Sequence, residues 1–339
     1  MSLLLGVVVY VGFANVGSST DLVVVRGAQG VAVTGAGLMS LALVGQLSPT
    51  DRRAQYIGAA NAWRFAAGIV GTLTAGLLFE AYGFTAVFGV LVTLTALAAV
   101  SVGLFVDADP TVVSGVPFTD LAVNRRILTI TGFRAQYAFA VTLVRTWIPI
   151  FAGVEAASGG LAYSAVAVSV VITAEKFTNM LAQPHTGRLS DGIGRSKFVV
   201  AGGLGYGVVA LIVPFTPAIG GAMGVTPAVP ALGPLSAAFV PLVLLNGLLG
   251  VADSLREPAI VALFADEGTE DGGVASSFGI REPVWRPGSV LAPLVGGVLM
   301  VRVGMDWVFL LGSAFSFAGV ATFVGLLVRT HGSGALSQW

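Results

Sequence analysis

Polar side chains interrupt the apolar segment 127–150, and their spacing groups them. Arg134 and Arg145 are eleven residues apart, close to three full helical turns, so both lie on one face of a helix. Tyr137 lies on that face as well. If the segment crosses a membrane, each charge costs about 2.5–3.5 kcal/mol and requires a partner or a wet cavity. The two guanidinium groups would suit an anion.

A second polar stripe follows the segment 236–264. Asn246, Asp253 and Glu257 are separated by seven and four residues, which places them on one helical face. The carboxylate of Asp253 would equally suit a proton or a cation. Glu257 lies nearer the end of the segment, where an ordinary interfacial charge is the alternative interpretation.

A charge network is predicted from the tripeptides Arg256-Glu257-Pro258 and Arg281-Glu282-Pro283, which repeat one pattern in adjacent segments. Glu282 and Arg286 are four residues apart and can pair along a helix. An inner gate or proton path is one interpretation of this network, and a structural set of ion pairs is the other. Its predicted members are Arg64, Glu175, Lys176, Arg256, Arg281, Glu282 and Arg286.

The composition identifies the elements that must position these residues. Hydrophobic residues make up 55% of the chain and charged residues 10%, with a mean hydropathy of +0.91. Soluble domains carry about 25% charged residues, so most of this chain has lipid as its solvent. The 17 basic and 17 acidic residues balance, which gives no field for nucleic acid. Without cysteine and with two histidines, the chain predicts no metal site, no cofactor and no enzyme.

Ten apolar segments are long enough to be membrane helices, and they lack the alternation of a β-barrel. They lie near 2–16, 22–46, 56–81, 84–106, 127–150, 163–182, 198–216, 236–264, 275–302 and 307–328. The glycine run Gly202–Gly207 lies inside one of them, so it predicts close helix packing rather than a nucleotide loop.

The basic residues between the segments predict the orientation. If the turn 183–197 is cytoplasmic, most basic residues of the loops fall on that side, and both termini do too. These residues are Arg52, Arg53, Arg125, Arg126, Arg188, Arg195, Lys197 and Arg329. The predicted domains are an N-terminal half-bundle of four helices (1–106), a cytoplasmic linker (107–126), a six-helix half-bundle (127–329) and a tail (330–339).

The two halves also repeat each other at an offset of 222 residues. Trp63-Arg64 falls on Trp285-Arg286, and Leu77 falls on Leu299. Two parallel halves with a site between them at the membrane midplane are an architecture of transporters.

Three short motifs resemble those of the major facilitator superfamily. The turn Gly187-x-x-x-Asp191-x-x-Gly194-Arg195-x-Lys197 is similar to its motif A, with Gly192 in place of the usual basic residue. Arg26-Gly-Ala-Gln29-Gly30 resembles the Arg-x-x-Gln-Gly element of its fourth helix, and Gly71–Gly76 resembles, with changes, an element of its antiporters.

The resemblance implies an all-α polytopic protein that moves a small solute by alternating access, coupled to protons or sodium, with a mild preference for efflux or antiport. It implies a gating role for Gly187, Asp191, Gly194, Arg195 and Lys197, against the alternative of a static turn. It links Arg26 to coupling-ion transfer, and gives Gln29 either a substrate contact or a bridge between helices. Since the family's seventh and tenth helices line its cavity, the stripes at 134–145 and 246–257 become candidate cavity walls.

The resemblance also predicts an incomplete first half. Members usually have twelve spans, and the ten found here match the third to the twelfth. A truncated or inactive membrane protein, or a sensor, is therefore the alternative to a transporter. The expected partners are a small-molecule solute, a coupling ion and the lipid bilayer. We expect a monomer in the cell membrane that binds no nucleic acid.

Overall fold

The computed structural model describes residues 1–47, 53–106, 125–270 and 274–332, together with 334 and 336. Regular structure within these residues is helical throughout, as the apolar segments predict. The α-helices are α1 (Ser2–Ala14), α2 (Ser19–Leu47), α3 (Arg53–Phe105), α4 (Arg125–Gly153), α5 (Ala165–Ile193), α6 (Arg195–Ile212), α7 (Thr216–Met223), α8 (Phe239–Glu270), α9 (Val274–Arg302) and α10 (Met305–His331).

Seven helical segments of the described residues are long and apolar enough to cross a membrane, and α1 is apolar but shorter. One of the seven, Trp63–Phe105, has 43 residues. It would be about 65 Å long as a straight helix, roughly twice the hydrocarbon thickness of a bilayer. Gly83, with φ 75° and ψ −175°, breaks it between the predicted spans 56–81 and 84–106. The all-α polytopic fold is therefore confirmed, and the number of ten spans stays a prediction.

Two loops are shorter in the structure than the sequence predicts. The segment 183–193, predicted as part of a turn, continues α5 to Ile193. The reversal is confined to Gly194, whose φ of 114° favours glycine, and α6 begins at Arg195. Likewise α7 occupies part of the predicted loop 217–235. Pro217 lies in its first turn, where the missing N–H leaves no hydrogen bond unmade.

The chain divides into two compact units, Met1–Ser114 and Gly115–Trp339. In the larger unit α4 packs against α9 and α10, α5 packs against α8, and α6 packs against α8 and α10. Its core is aromatic near α4, where the Phe133 ring lies 5.0 Å from Tyr137 and 5.8 Å from Phe323. Most of the predicted linker 107–126 and part of the predicted tail 330–339 lie outside the described residues.

Glycines of α6 allow α10 to approach closely. A Cβ on Gly203 would lie 2.5 Å from Val320, so a larger residue does not fit there. The hydroxyls of Ser316 and Ser313 donate to the carbonyls of Gly203 and Gly207, both at 2.8 Å. This contact confirms the packing interpretation of the glycine run, and small residues with hydroxyl donors are typical of helix contacts in membranes.

The smaller unit is built from α1, α2 and α3. The ring of Phe13 stacks on that of Phe88 with centroids 5.3 Å apart, and Gly6 lies against Thr95. An apolar cavity of about 900 Å³ lies within this unit and is lined by the ranges 1–7, 36–40 and 96–103. Each of its three helices contributes one of these stretches.

Candidate functional site

A buried network of charged side chains joins three helices of the larger unit. Arg145 of α4 donates from Nε to Glu175 of α5 at 2.5 Å, and from Nη2 to Asp253 of α8 at 3.0 Å. The Asp253 side chain is 7% exposed and that of Glu175 is 10%, whereas Arg145 is 38% exposed. One guanidinium thus bridges two carboxylates that come from two other helices, and it is the member most accessible from outside.

The second arginine of the network is enclosed. Arg256 binds Asp253 Oδ1 through Nη2 at 2.6 Å and through Nε at 3.2 Å, and its Nη2 lies 2.8 Å from Glu257. Its guanidinium carbon lies 4.3 Å from the ring centre of Tyr137, a cation–π contact. With 2% exposure, Arg256 is fixed in place by neighbours on α4 and α8.

The chain brings these groups together through simple helical spacing. Asp253 and Arg256 are three residues apart and therefore neighbours on α8. Asn246, two turns before Asp253, faces α5 as well, because its side-chain amide donates to the carbonyl of Val171. Asn246 and Asp253, two of the three polar residues that the sequence places on this face of α8, thus contact α5.

Two further residues belong to the site that the sequence did not single out. Asn179 of α5 donates to Asp253 Oδ2 at 3.2 Å. Tyr206 of α6 packs edge-on against Tyr137, with ring centres 5.4 Å apart. Asn179 lies four residues after Glu175 and thus on the same helical face, so its spacing to Glu175 identifies it as a candidate for the site.

Buried polar atoms surround the network. The hydroxyls of Tyr137 and Tyr206, Asn179 Oδ1 and Arg256 Nη1 have no hydrogen-bond partner among the described residues. Buried polar atoms are nearly always hydrogen-bonded to protein or to water. This surplus of donors and acceptors is typical of an interior that binds water or polar ligands.

The helices α5 and α8 are joined by polar contacts besides the charges. Thr178 donates to the Gly247 carbonyl at 2.6 Å, and Thr186 donates to the Ser254 carbonyl at 2.6 Å. A Cβ on Gly250 would lie 2.1 Å from the carbonyl oxygen of Glu175. The two backbones therefore approach as closely as glycine permits.

Arg134 lies apart from this network, although the sequence placed it on the same face as Arg145. It is buried, and its guanidinium carbon lies 4.7 Å from the ring centre of Trp285 on α9. Arg145 instead contacts α5 and α8. One face of α4 therefore meets different neighbours at its two levels.

The remaining predicted members of the charge network stay predictions. Arg64 and Arg286 are exposed, and Lys176 is half-buried beside Glu175. The side chains of Arg281 and Glu282 lie outside the described part of the structure. The α9 portion of the predicted network therefore stays a prediction.

The two motif regions have these positions. Arg26 is exposed and donates to Gln29 at 2.6 Å on the same helix, and Gln29 lines a cavity of about 120 Å³ in the smaller unit. In the motif A turn, Gly187 faces Pro258 of α8, Gly194 makes the reversal, and Arg195 and Lys197 open α6. The side chain of Asp191 lies outside the described part.

Within the described residues no cluster of three His, Asp or Glu could hold a metal ion.

A family model described as Major Facilitator Superfamily matches residues 1–174, just over half of the 339 residues. The match includes Arg145 and ends one residue before Glu175. No curated protein matches the chain.

Among solved structures, the chain is similar to a peptide transporter, POT, in complex with sulfate, with 20% identity and a TM-score of 0.46. A variant of that transporter with sulfate is 22% identical, also at 0.46, and a variant with alafosfalin is 19% identical at 0.45. These matches cover 62–63% of this chain and 39–40% of the transporters. The chain thus spans about 40% of the length of the solved structures it matches.

Proposed function

The chain belongs to the Major Facilitator Superfamily, and from that premise we propose that it is a secondary active transporter of a small solute. It works by alternating access and is driven by a proton gradient. It acts as a monomer in the cell membrane with both termini cytoplasmic. The observation that supports this most strongly is the buried network in which Arg145 bridges Glu175 and Asp253.

A structural role for the network is the first alternative, and the packing of α5 on α8 weighs against it. Thr178 and Thr186 already bind carbonyls across this contact. Buried ion pairs are often no more stable than well-packed apolar residues of similar volume. In a membrane the cost of a charge is higher still, so embedded charges favour a function in binding or in ion transfer.

The composition of the network favours a proton over sodium as the coupling ion. Two guanidinium groups lie among the three carboxylates of Glu175, Asp253 and Glu257. A metal cation would need several oxygen ligands, and carboxylate oxygens of Glu175 and Asp253 already accept hydrogen bonds from the two arginines. A proton adds to one carboxylate oxygen and needs no further ligands.

We propose a gating role for the turn between α5 and α6. The end of α5 is fastened to α8 by the bond from Thr186 to Ser254, and Gly187 lies 3.7 Å from Pro258 measured from the position of its missing Cβ. A turn that fastens two helix ends in one state can release them in another. A static turn is the alternative, and Gly194→Ala separates it from a gate.

The direction of transport rests on a weaker feature. The segment Gly71–Gly76 resembles an antiporter element in which Thr72 and Ala75 replace the usual residues, and it favours export. In the structure Thr72 donates to the Gly68 carbonyl at 2.7 Å, an ordinary contact within a helix. Export in exchange for protons therefore stays the prediction of that element alone.

The experiment is a flux measurement on the purified chain in sealed liposomes that enclose a pH-sensitive dye. A pH gradient is imposed with the membrane potential clamped, and proton flux is measured with sugars, amines, amino acids, dipeptides and carboxylates as candidate solutes. A sodium gradient at equal pH tests the other coupling ion. Asp253→Asn is the variant of the buried network. Its matched control is Asp306→Asn, because Asp306 is an exposed carboxylate in the first turn of α10.

Proton flux that depends on a solute, is lost in Asp253→Asn and is retained in Asp306→Asn would support the proposal. Solute flux driven by sodium but not by protons would overturn the coupling ion. If no solute moves in either direction under either gradient, the inactive or sensing membrane protein becomes the better interpretation.

A further inference from the structure

The two carboxylates that Arg145 bridges are supported unequally. Asp253 also accepts hydrogen bonds from both Arg256 and Asn179. Within the described residues, the only hydrogen bond to the Glu175 carboxylate comes from Arg145. In the described part of the chain, Arg145 is therefore one of three partners of Asp253 and the sole donor to Glu175.

This inequality sets the condition under which Arg145 can move. If its guanidinium turns away, Asp253 keeps an ionic partner in Arg256. Glu175 would be left as a buried carboxylate without a donor, which is strongly unfavourable. Protonation of Glu175 removes that penalty, because a neutral carboxyl group needs no ionic partner. Release of Arg145 and uptake of one proton by Glu175 are thus linked.

The surroundings of Glu175 determine how it titrates. Arg145 of α4 bonds to it, the carboxylate of Asp253 on α8 shares that arginine, Tyr206 is the titratable group near it on α6, and Lys176 is its neighbour on α5. Arg145 and Lys176 place positive charge beside Glu175, whereas Asp253 places negative charge there. Once Arg145 leaves, the balance moves toward the protonated acid.

Arg145 is suited to bind an external anion, and Arg256 is not. The side chain of Arg145 is 38% exposed, compared with 2% for Arg256. Arg145 uses Nε and Nη2, the edge of the guanidinium that can donate two parallel hydrogen bonds to a single carboxylate. At present this edge is divided between two carboxylates of the chain, so one substrate carboxylate could replace both.

We propose that Arg145 binds the carboxylate of a small organic anion, and that each anion binds together with one proton on Glu175. The inference rests on the proposed transport function and names the substrate class of the same site. The charges balance: the network gains one proton and one negative charge, so its net charge is unchanged. Of the two chemistries that the sequence left open, this selects the anion at Arg145 over a cation at Asp253.

Binding of the anion and the proton on the same side implies that they travel together. A proton gradient directed into the cell would then drive uptake of the anion. This is opposite to the export that the segment Gly71–Gly76 predicts, and the two are separated by the direction of flux.

Binding is tested on the purified full chain in lipid nanodiscs, by calorimetry between about pH 5 and pH 8. The probes are the sodium salts of acetate, lactate, benzoate and succinate, each compared with its uncharged amide at equal ionic strength. We expect at least one carboxylate to bind the wild-type chain about tenfold more tightly for each pH unit lowered, and its amide not to bind.

Variants assign this linkage to the two residues. In Glu175→Gln residue 175 is neutral at every pH, so Arg145 is available without uptake of a proton. Carboxylate binding should therefore become tight and independent of pH. In Arg145→Gln binding should be lost, and in Arg145→Lys it should weaken about tenfold because the two-donor edge is gone. Glu155→Gln and Arg302→Gln change the same residue types at exposed positions outside the network and should bind like the wild type.

Several outcomes would overturn the inference. They are pH-dependent binding that persists in Glu175→Gln, equal binding by Arg145→Gln, or no carboxylate bound by either the wild type or Glu175→Gln. If Glu175→Gln does not fold, the pH slope of the wild type and the Arg145→Lys comparison decide. Gradient-driven flux of an uncharged or cationic solute without carboxylate binding would refute this inference and leave the transport function standing. Carboxylate binding without gradient-driven flux would do the reverse.

Discussion

Asp253 and Arg256, one helical turn apart on α8, form a buried ion pair in which Arg256 Nη2 lies 2.6 Å from Asp253 Oδ1. This pair leaves the other carboxylate oxygen of Asp253 to Arg145 of α4 and Asn179 of α5. Intrahelical pairing thus fixes one side of the carboxylate, and the other side ties three helices together.

Asp253→Asn should therefore destabilise the larger unit as well as stop transport. The amide keeps the shape of the side chain but leaves two guanidinium groups with one carboxylate fewer. We expect a loss of about 3 kcal/mol, the usual cost of breaking a buried pair. Thermal unfolding of the purified protein measures it. Asp306→Asn should cost at most about 1 kcal/mol, through the lost helix-dipole interaction, and an equal loss in both variants would contradict the prediction.

The contact between Arg256 and Tyr137 can be divided into its ring and its hydroxyl. The Tyr137 hydroxyl has no hydrogen-bond partner among the described residues, so Tyr137→Phe should change stability by less than about 1 kcal/mol. Tyr137→Leu removes the ring that covers the guanidinium and should cost about 2 kcal/mol. Unfolding midpoints of the two variants give the comparison. A large loss in Tyr137→Phe would mean that the hydroxyl is bonded in solution, through water for example.

Gly250 is expected to be essential for the contact between α5 and α8. In Gly250→Ala the added methyl group would overlap the Glu175 carbonyl and the Thr178 hydroxyl, at 2.1 Å and 2.3 Å. The helices must separate, which should cost about 1–3 kcal/mol and move Glu175 away from Arg145. Gly205→Ala on α6 is the control, because its new Cβ would make an ordinary 3.5 Å contact with Ala252. Stability and flux are measured for both, and an unaffected Gly250→Ala would refute the tight crossing.

Gly194 and Gly192 separate backbone strain from loss of a glycine. Gly194 has φ 114° and ψ 122°, a conformation that strains any other residue by about 1–3 kcal/mol. Gly192 is helical with open space around it, so Gly192→Ala should be neutral or slightly stabilising. We expect Gly194→Ala to slow solute flux in liposomes more than it reduces binding if the turn is a gate. Binding and flux that fall equally would indicate a static turn.

Positions along one helix were within reach of sequence reasoning. The seven-residue spacing predicts Asn246 and Asp253 on one face, and both contact α5. The same reasoning was less informative for Arg134 and Arg145. Eleven residues span about 16 Å along a helix, so two side chains on one face can meet different neighbours. Spacing gives the direction in which a side chain leaves the helix axis, whereas its contacts depend on where the other helices cross.

Partners across helices were beyond sequence reasoning. The sequence groups Glu175 with Arg256, and both belong to the network, but it does not indicate that Arg145 is the hydrogen-bond partner of Glu175. Tyr206 lies within the run Gly202–Gly207, which the sequence explains by helix packing alone. Only the packing of the helices brings its ring to 5.4 Å from that of Tyr137. Pairings of this kind depend on three-dimensional helix order, which no periodicity encodes.

The close crossing at Gly250 has a mechanical consequence. At Gly250 the two helices cannot slide past each other without collision, so α5 and α8 should stay together at the level of Glu175 and Asp253, while their ends near Thr186 can still separate. Glu175 and Asp253 would then keep their separation through the whole transport cycle. The group that moves at this level would then be the flexible side chain of Arg145, and protonation of Glu175 would control its release.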